Sequence, residues 1–125
     1  MKELLAAIDR GDAEAAAKAL DAGAALSANA PGGDPPLVLA AASGDERIAA
    51  LLLERGAPVD GAGEAGNTAL MHAAARGHLG LVRLLLRRGA DPARANRWGL
   101  KAEDWAKWPA NAAEVVAALQ ERGRA

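Results

Sequence analysis

The strongest constraint on this chain is a repeat of 33 residues. Gly77 and Gly89 stand 33 positions after Gly44 and Gly56, and these stand 33 after Gly11 and Gly23. Leu84-Leu85-Leu86 falls on Leu51-Leu52-Leu53, and Arg88-Gly89-Ala90 on Arg55-Gly56-Ala57. Forward by the same step, Gly66 becomes Gly99, His72 becomes Trp105 and Ala73 becomes Ala106. A period of this length, with helix–turn–helix content and glycine punctuation, specifies a stacked solenoid.

The unit is clearest from Glu64 to Asn96. A glycine turn opens it, a short helix is predicted from Thr68 to Arg76, and Gly77 breaks it. A strongly apolar helix follows from about Leu79 to Arg88 and is closed by Gly89. Thr68 suits an N-cap, because its hydroxyl can accept from an orphan N–H of the first turn. Gly89 suits the left-handed position after a helix end. Leu81, Val82, Leu84, Leu85 and Leu86 cover more of the second helix than a lone hairpin can hide, so the unit needs neighbours on both sides.

These residues resemble ankyrin repeats. Thr68-Ala69-Leu70 followed by Ala73-Ala74 is similar to that family's inner-helix signature. Gly77-His78 and Leu84-Leu85-Leu86-x-x-Gly89-Ala90-Asp91 are similar to its second half. The resemblance covers nearly the whole chain as one domain, 1–125, with repeats at about 1–30, 31–63, 64–96 and 97–125. It implies an all-α fold with short hairpin loops, an ankyrin-repeat solenoid of stacked helix–turn–helix units. The family usually carries Thr-Pro-Leu-His where this chain has Pro35-Pro36-Leu37-Val38 and Thr68-Ala69-Leu70-Met71. That departure puts the hairpin-to-helix side-chain network in question in both repeats.

The two ends read as caps. Lys2 to Asp9 is the first inner helix and Asp12 to Leu20 the first outer one, with Asp12 and Asp45 as N-caps. Ala15, Ala16, Ala17 and Ala19 replace larger residues, and Glu14, Lys18 and Asp21 make the free face polar, as a terminal repeat requires. Pro31-Gly32-Gly33-Asp34 is a turn by composition. In the last repeat Glu103 falls where Leu70 stood. After Trp108-Pro109 the better register is 34, which sets Val115-Val116 on Leu81-Val82 and places one inserted residue near Pro109. Gln120, Glu121 and Arg122 then read as a polar C-terminal cap.

No catalytic constellation can be assembled. The chain has no Cys and no Tyr, which removes disulfides, thiol chemistry and Cys-based metal sites. The two histidines, His72 and His78, are spaced by six, which fits no zinc signature. By its repeat position His78 is expected to hydrogen-bond structurally at a helix start, and His72 to pack between Leu39 and Trp105. Ser27 and Ser43 have no base nearby, and the glycines form no phosphate loop. The sequence therefore predicts a non-enzyme with no cofactor and no metal. The apolar run near the N-terminus, Leu4 to Ile8, is shorter than a secretory signal needs, and no stretch approaches the roughly 20 residues of a membrane span. A cytoplasmic location is expected. The abundance of Ala, and of Arg over Lys, points to a GC-rich bacterial source.

Charge is unevenly spread. Residues 1–62 hold five Lys/Arg against ten Asp/Glu, and residues 63–125 hold ten against six. These are either ordinary solvated faces or a basic half that steers an acidic partner. The overall balance argues against nucleic acid. The three tryptophans, at 98, 105 and 108, are the only aromatic residues. Trp105 takes a repeat core position and is expected to be buried. Trp98 sits at a hairpin tip and Trp108 at the end of the last inner helix. Both are either binding anchors, since Trp is enriched in hot spots, or packed on each other or on Pro109.

The resemblance implies that hairpin tips and inner-helix ends line a concave surface where a partner protein binds. By position that surface takes Asp9, Arg10, Ser43, Ala75 and Arg76 from helix ends, and Pro31, Asp34, Glu64, Asn67, Arg97, Trp98 and Leu100 from the tips. The expected function is a monomeric, non-catalytic protein–protein interaction module whose partner presents an apolar pocket and an acidic rim. An inhibitor, antitoxin or immunity-type protein is a specific form of it. The rival expectation is an assembly protein that self-associates through the Trp-rich C-terminal repeat.

Overall fold

A computed structural model describes residues 2–24, 26, 33–63 and 65–123. Eight helices follow one another: α1 (Lys2–Arg10), α2 (Ala13–Asp21), α3 (Pro36–Ser43), α4 (Glu46–Glu54), α5 (Ala69–Ala75), α6 (Leu79–Arg87), α7 (Ala102–Trp105) and α8 (Ala112–Gly123). They form four antiparallel pairs. The inner helices α1, α3, α5 and α7 stack in order, and so do the outer helices α2, α4, α6 and α8. Among the described residues there is no strand, only an isolated antiparallel bridge between Ala62 and Thr68 that closes the hairpin ahead of α5.

The period becomes columns of side chains in the core. Leu4, Leu37 and Leu70 are buried in successive inner helices, as are Ala7, Ala40 and Ala73, and Ala106 is buried at the C-cap of α7. The alanines leave room for close helix approach, because a larger side chain there would have to push the stack apart. The outer helices bury Ile48, Ala49 and Leu52, then Leu81, Val82 and Leu85, then Val115 and Leu119. The first outer helix buries Ala16 and leaves Glu14, Lys18 and Asp21 exposed, as a cap should. The residue expected to be inserted near Pro109 is not found: α8 starts at Ala112, 33 residues after α6 starts at Leu79, and Val115 is buried 33 residues after Val82, as Val82 is after Ala49.

Local chemistry explains the helix starts. Asp12 accepts from the N–H of Ala15 and Asp45 from that of Ile48, each at 3.0 Å. Pro35 precedes α3 with no side-chain cap, and Pro36 opens the helix where no N–H is needed. Before α5, Thr68 Oγ1 accepts from the N–H of Met71 at 3.3 Å, and the N–H of Thr68 donates to Met71 Sδ at 3.4 Å. The thioether thus closes a reciprocal cap at a position where the resemblance leads one to expect His.

Three further expectations need correction. His78 makes no cap hydrogen bond through its side chain. Its ring lies over Gly44 instead, where an added Cβ would stand 2.7 Å from it, so its role is packing. The last inner helix ends at Trp105, and Trp108 lies beyond it in the turn. Pro109 explains this, since a residue before proline is pushed out of the helical region. Trp105 is half-buried rather than buried: it ends the one-turn helix α7 and walls an open cleft against α5.

Candidate partner-binding surface

The turn from Asn96 to Leu100 is held by one buried side chain. Asn96 Oδ1 accepts from the N–H groups of Trp98, at 2.9 Å, and Leu100, at 3.0 Å. Its Nδ2 donates to Asn67 Oδ1 at 2.8 Å, which ties this turn to the hairpin before α5. The Arg97 N–H donates to the Ala65 carbonyl at 2.9 Å, and the Gly99 N–H to the Asn96 carbonyl at 3.0 Å. A buried amide costs little when its hydrogen bonds are made. The outcome is a rigid pedestal for an exposed aromatic side chain. The sequence reading passed over Asn96, although Asn three residues before Gly99 is a turn signal, because Asn bonds backbone groups two residues on.

Trp98 is 65% exposed, Leu100 38% and Trp108 79%, and these are the exposed large hydrophobic residues among those described. Such exposure leaves little of Trp98 or Trp108 packed on each other or on Pro109. Arg97 is exposed beside Trp98, and Arg76 is exposed at the C-cap of α5. Neither arginine has an ion pair among the described residues. By contrast Arg55 pairs with Asp21 at 2.8 Å and Arg88 meets Glu54 at 4.0 Å on the outer side. Ser43 is exposed at the end of α3 and spends its hydroxyl on the Ala40 carbonyl at 2.9 Å. Asp34 is half-buried just before α3, and Asn67 is half-buried. Asp9 and Arg10 are exposed at the end of α1, and Ala75 is half-buried. Glu64 and Pro31 lie outside the described residues.

Asn67 and Arg76 are brought together. With Met71, His72, Ala75 and Trp105 they line a cleft of about 180 Å³ between α5 and α7. Arg76 Nη1 stands 3.1 Å from His72 Nδ1. A guanidinium can only donate, so Nδ1 accepts, and the neutral ring carries its proton on Nε2. Burial holds the His72 pKa below the usual 6.5, the charge of Arg76 lowers it further, and Asp34 opposes both. Trp105 Nε1–H is shielded and has no partner among the described residues. His72, expected to pack between Leu39 and Trp105, is half-buried and shares with Trp105 the lining of this cleft.

Comparison with known families matches residues 4–96 to ankyrin repeats, in three copies. The chain belongs to the ankyrin-repeat family. Its fold is the helical solenoid of that family. Ankyrin repeats are generally protein–protein interaction modules, typically without catalytic activity. Comparison with curated proteins gives no match. Among the described residues no helix is long and apolar enough to cross a membrane, and no group of His, Asp and Glu is arranged to hold a metal ion.

Proposed function

We propose that this ankyrin-repeat protein is a monomeric, non-catalytic module that binds a partner protein through its inner-helix and hairpin face. The observation that carries this reading is the exposure of Trp98, Leu100 and Trp108 on one end of the stack, while the other large apolar side chains among the described residues are at least partly covered. An exposed aromatic side chain on a fixed backbone loses little entropy on binding and offers a large apolar area. The α7–α8 pair serves as a fourth, degenerate repeat that caps the stack. Arg76 and Arg97, without an ion pair among the described residues, supply the positive rim for an acidic partner. An inhibitor, antitoxin or immunity-type role suits a small rigid module of this kind.

Affinity capture from the source organism tests the reading, with wild type beside a W98A/W108A/R76A variant. A protein held by wild type and lost from the folded variant supports it. The same proteins on both baits move the interface elsewhere. The exposed tryptophans also suit self-association, and a mass in sedimentation that does not change with concentration removes that second reading.

A further inference from the structure

We infer that the cleft between α5 and α7 is a receptor for an acidic side chain, Asp or Glu, of the partner protein. The inference rests on the reading that this face binds a protein. It adds a site built largely from residues that the repeat pattern treats as structural.

The side chains around the cleft offer donors and almost no acceptors. Arg76 carries five N–H groups and spends one on His72. His72, with Nδ1 occupied, presents Nε2–H. Asn67 Oδ1 is engaged by Asn96, so its free polar capacity lies mostly in the amide hydrogens. Met71 Sδ is engaged by the Thr68 N–H, and Ala75 has no polar side chain. Trp105 walls the cleft with its indole ring.

The ligand must therefore accept hydrogen bonds, and a guanidinium with no ion pair among the described residues makes an anion the better acceptor. A carboxylate is planar and matches the guanidinium fork with two parallel bonds. The volume, about 180 Å³, equals roughly six waters at about 30 Å³ each. That holds a carboxylate with its one or two methylenes. Asp34 is the opposing influence, since its negative charge reaches His72. A bound carboxylate accordingly sits on the Arg76 side of the ring. The basic excess of residues 63–125 favours its approach.

The test is an NMR titration of the full chain at constant ionic strength with three probes: N-acetylglutamate α-amide, its glutamine isostere, and N-acetylalanine. The glutamate probe is expected to shift the Trp105 indole signal and the His72 and Arg76 amides saturably. The glutamine probe should bind at least about tenfold more weakly, as a charge-assisted bond to Arg76 implies. Arg76→Gln, at an exposed position that leaves the fold intact, should abolish the difference between the two. The Trp98 and Trp108 indoles serve as internal controls and should stay still. Equal response to glutamate and glutamine probes, or a response that survives Arg76→Gln, overturns the inference. Tighter binding of N-acetylalanine would assign the cleft to a chain terminus and overturn the side-chain occupant. The titration needs no partner. Capture with W98A/W108A and with Arg76→Gln separately keeps the two readings apart: a failed titration beside capture lost in W98A/W108A removes this inference alone, whereas a positive titration beside capture lost in Arg76→Gln and unchanged in W98A/W108A removes the Trp placement alone.

Discussion

Single residues in this protein are constrained by what lies one repeat away. Asp45, His78 and Asn111 stand in one column, each over the glycine 34 positions earlier. Asn111 Nδ2 donates to the Gly77 carbonyl at 2.9 Å. Gly77 has φ +70°, and an added Cβ would stand 2.8 Å from Pro109 Cβ. Gly89 has φ +95° and nothing within 4 Å of such a Cβ. An L-residue in left-handed backbone costs about 1–2 kcal/mol. Gly89→Ala should therefore lose about that much in urea unfolding, and Gly77→Ala distinctly more. Equal losses would mean that the turn before α8 yields freely. The glycines were legible in the sequence as punctuation. The crowding at Gly77 was not, because the atoms that crowd it come from the irregular turn around Pro109.

His72 gives a pH dependence at the same scale. Its folded pKa is lowered, by burial first and by Arg76 second, against Asp34. Between that value and the unfolded value of about 6.5, the unfolded chain binds more protons. Stability therefore rises with pH there, is fully present above about 6.5, and is lost as pH falls through the folded value. His72→Leu, the residue type of Leu39 at the same repeat position, should flatten this part of the profile. Urea midpoints measured from about pH 7.5 to about pH 5.5 check this. An identical slope in wild type and variant would show that His72 does not titrate differently on folding.

At the scale of elements, the stacking of outer helices sets stability. Leu85 is fully buried in α6, between α4 and α8. Leu85→Ala should cost about 2–5 kcal/mol by denaturant unfolding, with the transfer and cavity terms acting together. A change below about half a kcal/mol would contradict the observed register. Helix order, caps and core columns were readable because each depends on a 33-residue spacing or on a local signal such as Asp after Gly. The single-turn length of α7 was not, although Pro109 stood in plain view. A core alanine, Ala106, and an aligned Trp105 carried the helical pattern past the point where the backbone leaves it. The candidate surface was legible only as positions. Asn67, Arg76, Arg97, Trp98, Leu100 and Trp108 follow from the repeat, but Asn96 and the cleft depend on side chains meeting across two hairpins, which no period encodes.

At the scale of the molecule, an open stack of helix pairs has two unlike ends and two unlike faces. The outer helices carry the ion pairs between successive repeats, Asp21 with Arg55 and Glu54 with Arg88. Exposed pairs of this kind contribute little, about 0–1 kcal/mol each. The inner face carries two arginines with no ion pair among the described residues, the donor-rich cleft and the pinned Trp98 turn. The proposed function belongs to that face, and a face is what the decisive measurement compares. With a captured partner in hand, its affinity is measured for wild type, for W98A/W108A/R76A, and for R83A/R87A on the exposed side of α6, with circular dichroism to show that each is folded. Truncating hot spots costs about 2 kcal/mol or more each, so the first variant should bind at least about a hundredfold more weakly. The second should stay within about a factor of two of wild type. The reverse order, or equal affinity for all three, would contradict the account.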